Sequence, residues 1–210
     1  MSSSVEMLRD ALMTRGWTIS TAESCTGGLC AAALVDLPGS STWYSGGIVA
    51  YSNAIKHELL QVSKDVLLKH GAVSEPVALA MAEGVRSRCS SSVACSTTGI
   101  AGPGGGTPDK PVGLVWIGVA TPTGTQARQY YFSGDRLSVR QQTVAACFEF
   151  LLEQLPYLLR LVVVELVDVL ERRVLYSMIA HNHFVRWFVV ESLESTAHAF
   201  RWSTRLRDVV

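Results

Sequence analysis

The sequence has no formal net charge, because 18 of its 210 residues are Lys or Arg and 18 are Asp or Glu. A neutral chain exerts no bulk attraction on nucleic acid or on an anionic membrane, so neither is expected as a partner. Long apolar runs are also missing. The most apolar late segment, 161–170, is interrupted by Glu165 and Asp168, and no run reaches the ~18 residues that span a bilayer. The first ten residues lack a basic region followed by an apolar stretch, so we expect no signal peptide and a cytoplasmic location.

Motifs for metals, nucleotides and common hydrolase triads are absent as well. The five cysteines form no C-x-x-C pair, which favours reduced, buried thiols in a cytosolic protein. His181 and His183 lack an H-E-x-x-H context or a cysteine partner, so we expect no metal site. No G-x-S-x-G elbow, P-loop or full G-x-G-x-x-G motif occurs, and no cofactor is expected.

Glycine does not occur after Gly134, nor lysine after Lys110, whereas residues 160–210 contain seven arginines. The composition therefore changes near Pro156. We predict a domain over residues 1–156 and a separate C-terminal extension over residues 157–210. The extension is interpreted as helical or poorly ordered, and as either a lineage-specific addition or out-of-frame coding read past an original stop.

Helical and strand patterns alternate through the first domain. Strands are predicted at 17–21, 46–51 and 92–98, and a hairpin at 114–132, with helices between them that include one capped by Asp135. The alternation predicts an α/β sandwich with helices on both faces of the sheet. Because a hairpin makes antiparallel neighbours, the sheet is predicted to be mixed.

Two glycine-bearing turns follow predicted strands, where α/β proteins usually bind ligands. The turn of residues 24–28 (SCTGG) precedes a helix, and its amides could face a phosphate or an oxyanion. An ordinary capped helix explains the same residues equally well. The segment of residues 99–106 (GIAGPGGG) is either a flexible connection or, as we favour, a backbone cradle for a small anion.

Lys56 lies where a strand meets a helix, in the segment YSNAIK. A desolvated lysine there could act as a general base, because burial lowers the pKa of an amine. A solvated surface lysine is the alternative, and by itself it is the commoner situation.

Seven blocks occur in order: TAESCTGG, PGSS, YSNAIK, HGAVSEPVA, TGIAGPGGG, KPVG and FSGDR. Together they resemble the CinA C-terminal domain family, also found alone as nicotinamide-nucleotide amidase, over about residues 5–155. The resemblance implies a three-layer α/β/α fold with a five-stranded mixed sheet. It also implies hydrolysis of the carboxamide of nicotinamide mononucleotide to nicotinate mononucleotide and ammonia, and a homo-oligomer.

The resemblance further implies a serine–lysine mechanism. In this sequence Ser24 corresponds to the serine and Lys56 to the lysine, with Tyr51 helping to hold the pair. The substrate is then expected to meet two backbone segments and one arginine. These substrate-binding residues are Thr26, Gly27, Gly28, Thr98, Gly99, Ile100, Ala101, Gly102 and Arg140, the last as a phosphate partner or a surface ion pair. Two other functions stay open: an amidase for another small amide, and a non-catalytic binding module associated with competence and DNA damage.

Overall fold

The computed structural model describes residues 4–155. Six α-helices and five strands follow one another along this range. They are α1 (Ser4–Arg15), β1 (Ile19–Glu23), α2 (Leu29–Val35), β2 (Tyr44–Val49), α3 (Asn53–Leu60), α4 (Lys64–His70), α5 (Glu75–Arg88), β3 (Val93–Gly99), β4 (Leu114–Thr121), β5 (Gly124–Tyr131) and α6 (Arg136–Glu153), with a short 3-10 helix at Ser40–Thr42.

The five strands form one sheet in the order β2-β1-β3-β4-β5. β1 pairs in parallel with both β2 and β3, whereas β4 is antiparallel to both of its neighbours. The β4–β5 hairpin turns at Pro122 and Thr123. The predicted mixed, five-stranded sheet is therefore confirmed.

Each face of the sheet is covered by helices, because alternate strand residues enter two separate cores. On one face, Ile19 and Val93 pack with apolar residues of α1, α2 and α6. On the other face, Ala22 and Ala94 pack with α3, α4 and α5. Two cores on one sheet make the three-layer α/β/α architecture that the sequence predicted.

The predicted element boundaries differ from the structure in two places that matter for the site. β1 was expected at 17–21 and lies at Ile19–Glu23, so Glu23 belongs to a central, buried strand. Helix α4 was not predicted at all, since its seven residues are too few to show a helical period. The Asp135 cap of α6 is confirmed, because its carboxylate accepts from the Ser138 amide at 2.7 Å.

The predicted C-terminal extension, including His181 and His183, lies outside the described residues. Among residues 4–155, none of the helices has both the length and the apolar character needed to cross a bilayer. The same range contains no group of three or more His, Cys, Asp or Glu side chains arranged to hold a metal ion.

Candidate functional site

A cleft of about 200 Å³ lies at the carboxyl ends of the parallel strands β1, β2 and β3. In such sheets the ends of neighbouring strands meet at one edge, which brings segments distant in the sequence together. The lining residues come from the segments that end or follow these strands, from α3, from the α4–α5 connection and from the first residue of α6. They are Ser24, Cys25, Tyr51, Lys56, Ala72, Val73, Thr98, Gly99, Ala101 and Arg136.

Ser24 and Lys56 meet in this cleft. Ser24 is the first residue after β1, and its backbone amide donates to the Thr97 carbonyl at 2.9 Å. Lys56 lies in the first turn of α3, which begins after Ser52; the Ser52 hydroxyl accepts from the Ile55 amide and caps the helix. The side-chain nitrogen of Lys56 is 2.9 Å from Oγ of Ser24.

Lys56 is a buried lysine, with 1% of its surface exposed. Desolvation lowers its pKa below the ordinary value of 10.5, because burial penalises the charged form. Its nitrogen also contacts the carbonyl oxygens of Ala50 at 2.8 Å and Tyr51 at 3.5 Å. A neutral amine can donate two hydrogens to these carbonyls and still present its lone pair to Ser24. The surroundings therefore suit a general base.

The turn after Ser24 is held by a buried carboxylate that the sequence analysis did not single out. Glu23, 1% exposed, accepts four hydrogen bonds from residues that follow it. Its donors are the Thr26 hydroxyl at 2.7 Å, the Gly28 amide at 2.9 Å, the Cys30 amide at 3.0 Å and the Ala31 amide at 2.8 Å. These bonds fill the amino end of α2.

The position of Glu23 changes the expectation for the residues that follow Ser24. The Gly28 amide already donates to Glu23, so it is not free to bind an oxyanion. The Thr26 hydroxyl is 2.7 Å from the Thr97 hydroxyl and is buried. Thr26, Gly27 and Gly28 are also absent from the cleft lining, where Cys25 is the residue of this turn that takes part.

Two side chains fix the cleft wall formed by the α4–α5 connection. The Thr98 hydroxyl donates to the Ala72 carbonyl at 2.8 Å. The side-chain nitrogen of Lys110 donates to the carbonyls of His70 at 2.7 Å and Val73 at 2.8 Å. Thr98 therefore supports the wall through its hydroxyl, and Lys110 connects that wall to the loop that follows the glycine-rich segment.

The glycine-rich segment contributes less of its backbone to the cleft than the sequence predicted. Gly99 and Ala101 line the cleft, whereas Ile100 and Gly102 do not. Both backbone polar groups of Ile100 are used, the amide by Leu114 and the carbonyl by Gly113. The expected anion cradle over the whole segment is therefore reduced to its two lining residues.

Arg140, the expected phosphate partner, is turned away from the cleft. Its guanidinium donates to the Thr26 carbonyl from Nη2 at 2.6 Å and from Nε at 3.2 Å. The arginine that lines the cleft is Arg136, one helical turn earlier. It donates to the carbonyl of Gly102 at 2.8 Å and to the hydroxyl of Tyr51 at 2.9 Å.

Cys25 is adjacent to Ser24 and also faces the cleft. Burial raises the pKa of its thiol to about 12, so the thiol stays protonated at neutral pH. The thiolate is the nucleophilic form of cysteine. Ser24 is therefore the better candidate of the two.

The structure brings six of the predicted site residues to the cleft: Ser24, Tyr51, Lys56, Thr98, Gly99 and Ala101. Four other lining residues were not among the site residues assigned from the resemblance, and they are Cys25, Ala72, Val73 and Arg136. Of these, Ala72 and Val73 belong to the block HGAVSEPVA, which the resemblance used without assigning a role to it.

In comparison with known proteins, the family model of the CinA C-terminal domain matches residues 1–155. The chain belongs to the CinA C-terminal domain family. Its fold is also that of solved structures: a CinA superfamily protein from Klebsiella pneumoniae 700603 superposes with a TM-score of 0.70 at 34% identity, covering 73% of this chain and 98% of that one.

Relatives of two lengths match. A nicotinamide-nucleotide amidohydrolase PncC from Enterobacter agglomerans is 53% identical over 133 residues, covering 63% of this chain and 81% of that protein. The protein of the same name from Escherichia coli K12 is 46% identical over 150 residues, with 71% and 91% covered. The chain spans about a third of some longer relatives: it covers 35% of a putative competence-damage inducible protein from Caldanaerobacter subterraneus, at 47% identity over 144 residues and 69% of this chain.

Proposed function

We propose that this chain is an amidohydrolase that converts nicotinamide mononucleotide to nicotinate mononucleotide and ammonia, with Ser24 as nucleophile and Lys56 as general base. The observation that carries the proposal is the 2.9 Å contact between the two side chains. It is joined by the burial of Lys56, which favours the neutral amine that a base requires. The names of the shorter relatives support this substrate.

In the first half of the reaction, Oγ of Ser24 attacks the carboxamide carbon while its proton passes to the nitrogen of Lys56. An amide is a poor electrophile, so the negative charge that develops on its oxygen needs nearby donors. We assign that role to the backbone amides of the turn directly after Ser24, where Cys25 lines the cleft. The carbon–nitrogen bond then breaks, and the proton on Lys56 leaves with ammonia.

In the second half, water attacks the acyl–serine ester. Lys56, neutral again after ammonia has left, takes a proton from the water and passes it to Oγ of Ser24 as the ester bond breaks. Nicotinate mononucleotide and free Ser24 result. One base thus serves both halves of the reaction.

The substrate is expected to place its carboxamide against Ser24 and its phosphate at the open end of the cleft. Tyr51, 61% exposed, and Arg136 stand at that end. A guanidinium pairs with phosphate through two parallel hydrogen bonds. Arg136 therefore replaces Arg140 in our assignment of the phosphate partner.

The test is ammonia release from nicotinamide mononucleotide by the purified full-length protein and by Ser24→Ala and Lys56→Ala. Both variants are expected to lose turnover while keeping the wild-type far-UV circular dichroism spectrum. Turnover in either folded variant would disprove the serine–lysine pair. A wild-type protein that deamidates other small amides but not the nucleotide would shift the proposal to another substrate, and a wild-type protein inactive on all of them would favour the binding module.

A further inference from the structure

The four hydrogen bonds accepted by Glu23 do more than cap a short helix, because they enclose the turn that carries Ser24. Glu23 is the residue directly before Ser24, and its side chain reaches forward to residues as far along the chain as Ala31. Oε2 accepts from the Thr26 hydroxyl and from the amides of Gly28 and Cys30, and Oε1 accepts from Ala31. The turn is thus closed over by one carboxylate.

Two further contacts hold the same turn from outside. The Thr97 hydroxyl is 2.7 Å from the Thr26 hydroxyl; since the single hydrogen of Thr26 is given to Glu23, Thr97 is the donor of this pair. Nε and Nη2 of Arg140 both donate hydrogen bonds to the Thr26 carbonyl. The hydroxyl and the carbonyl of Thr26 are therefore both used in contacts within the fold, and Thr26 does not line the cleft.

The four hydrogen bonds of Glu23 all go to the turn and to the start of α2, and none goes to Lys56 or to Oγ of Ser24. An effect of Glu23 on the reaction is therefore expected to pass through the geometry of the turn. Displacement of a reacting group by about 1 Å can cost about 100-fold in rate.

We propose that Glu23 is a positioning residue that holds Oγ of Ser24 at its distance from Lys56. The proposal rests on the proposed role of Ser24 as nucleophile. A carboxylate is required because Oε2 accepts three donors at once. In Glu23→Gln, an NH2 group replaces one of the two carboxylate oxygens. In one orientation it faces the three donors that Oε2 binds, and in the other it faces the Ala31 amide. In both orientations donor faces donor, so the turn must move.

The decisive experiment uses full-length protein and a fluorophosphonate, a reagent that phosphonylates an activated serine without needing an amide substrate. We compare the second-order labelling rate of wild type, Glu23→Gln and Ser96→Ala as a function of pH, with Ser24→Ala to confirm the labelled residue. Ser96 is the matched control, because its buried hydroxyl donates to the Ala78 carbonyl on the far face of the sheet. Its loss removes a buried hydrogen bond without touching the turn.

Glu23→Gln is expected to label about 10- to 100-fold more slowly than wild type at every pH, with the midpoint of the pH profile unchanged. With nicotinamide mononucleotide, kcat should fall by a similar factor while KM stays near the wild-type value, because other elements form most of the cleft wall. Ser96→Ala should label at the wild-type rate. All comparisons are made at a temperature at which circular dichroism shows each variant folded.

Labelling of folded Glu23→Gln at the wild-type rate would overturn the proposal. A shifted midpoint with an unchanged plateau would also overturn it, since Glu23 would then act by its charge on Lys56. The labelling assay separates this inference from the proposed function. A wild-type protein that labels at Ser24 but releases no ammonia from the nucleotide refutes the substrate, and the effect of Glu23→Gln on labelling still decides the role of Glu23.

Discussion

Nη2 of Arg136 donates a hydrogen bond to the hydroxyl of Tyr51 at 2.9 Å, so the first residue of α6 meets the loop after β2 across 85 positions of sequence. Nη1 of the same guanidinium donates to the Gly102 carbonyl. Arg136 thus joins three segments at the open end of the cleft. An arginine has five N–H donors. These two contacts use two of them, so the other three can bind a substrate anion.

We predict that Arg136→Gln raises KM for nicotinamide mononucleotide by about 10- to 100-fold, because a charge-assisted hydrogen bond contributes about 1.5–3 kcal/mol. kcat should change far less, since the hydrogen bonds of Arg136 go to Gly102 and Tyr51 and not to Ser24 or Lys56. Steady-state ammonia release measures both constants. The control is Arg128→Gln, which removes a partly exposed arginine that pairs with Glu153 and lies outside the cleft lining.

The same variant should turn over nicotinamide riboside, which lacks the phosphate, with an unchanged KM. An equal rise in KM for the nucleotide and the riboside would contradict the phosphate assignment. It would indicate that Arg136 acts on the cleft only through Tyr51 and Gly102.

The resemblance assigned Ser24 and Lys56 as the pair, and the predicted strands placed both residues shortly after strand ends, which gather at one edge of a parallel sheet. It named Arg140, and not Arg136, as the phosphate partner. Residues four apart lie on nearly the same side of a helix, and only the packed position of α6 shows which guanidinium turns to the cleft and which to the Thr26 carbonyl.

Glu23 escaped the sequence analysis for a different reason. The predicted strand ended at residue 21, which left Glu23 in a turn where an exposed acidic residue is ordinary. In the structure β1 continues to Glu23 and is central in the sheet. Burial of this carboxylate depends on strands and helices packed from elsewhere in the chain, which local patterns do not report.

Activity is predicted to rise with pH through a midpoint below 10.5, because only neutral Lys56 can take the proton from Ser24 and desolvation lowers its pKa. The measurement is kcat/KM for the nucleotide from neutral to alkaline pH. Lys56→Arg should be inactive throughout, since a guanidinium stays protonated. A profile that stays flat from neutral to alkaline pH would contradict the role of Lys56 as the base.

Stability should respond to the same group. The unfolded chain holds a proton on Lys56 up to its ordinary pKa of 10.5, whereas the folded chain releases it at lower pH. Between these two values the unfolded state binds more protons, so the free energy of unfolding rises with pH. Denaturant unfolding of wild type and Lys56→Met, compared across this window, should show the rise in wild type alone; parallel curves would contradict it.

Gly84→Ala is predicted to reduce stability by about 1–3 kcal/mol, as expected for overpacking. Gly84 lies inside α5, and a Cβ there would collide with the backbone of Leu60, the last residue of α3. Because α3 carries Lys56, kcat should fall as well. Denaturant unfolding measures the first effect, and Gly104→Ala is the control, since a Cβ at Gly104 meets no atom within 4 Å. An unchanged free energy of unfolding for Gly84→Ala would contradict the prediction, because it would mean that α3 and α5 can move apart at no cost.

A shortened chain ending at Leu155 is predicted to keep the kcat/KM of the full-length protein and to unfold cooperatively. The family model matches residues 1–155, α6 ends within that range at Glu153, and every residue lining the cleft comes before it. The solved Klebsiella pneumoniae protein, almost wholly covered by 73% of this chain, supports a fold of this length. Ammonia release and thermal unfolding of the two chains provide the comparison. Lost cooperativity in the shortened chain would mean that residues after Leu155 are needed to complete the fold, and that the predicted division of the chain at residue 156 is wrong.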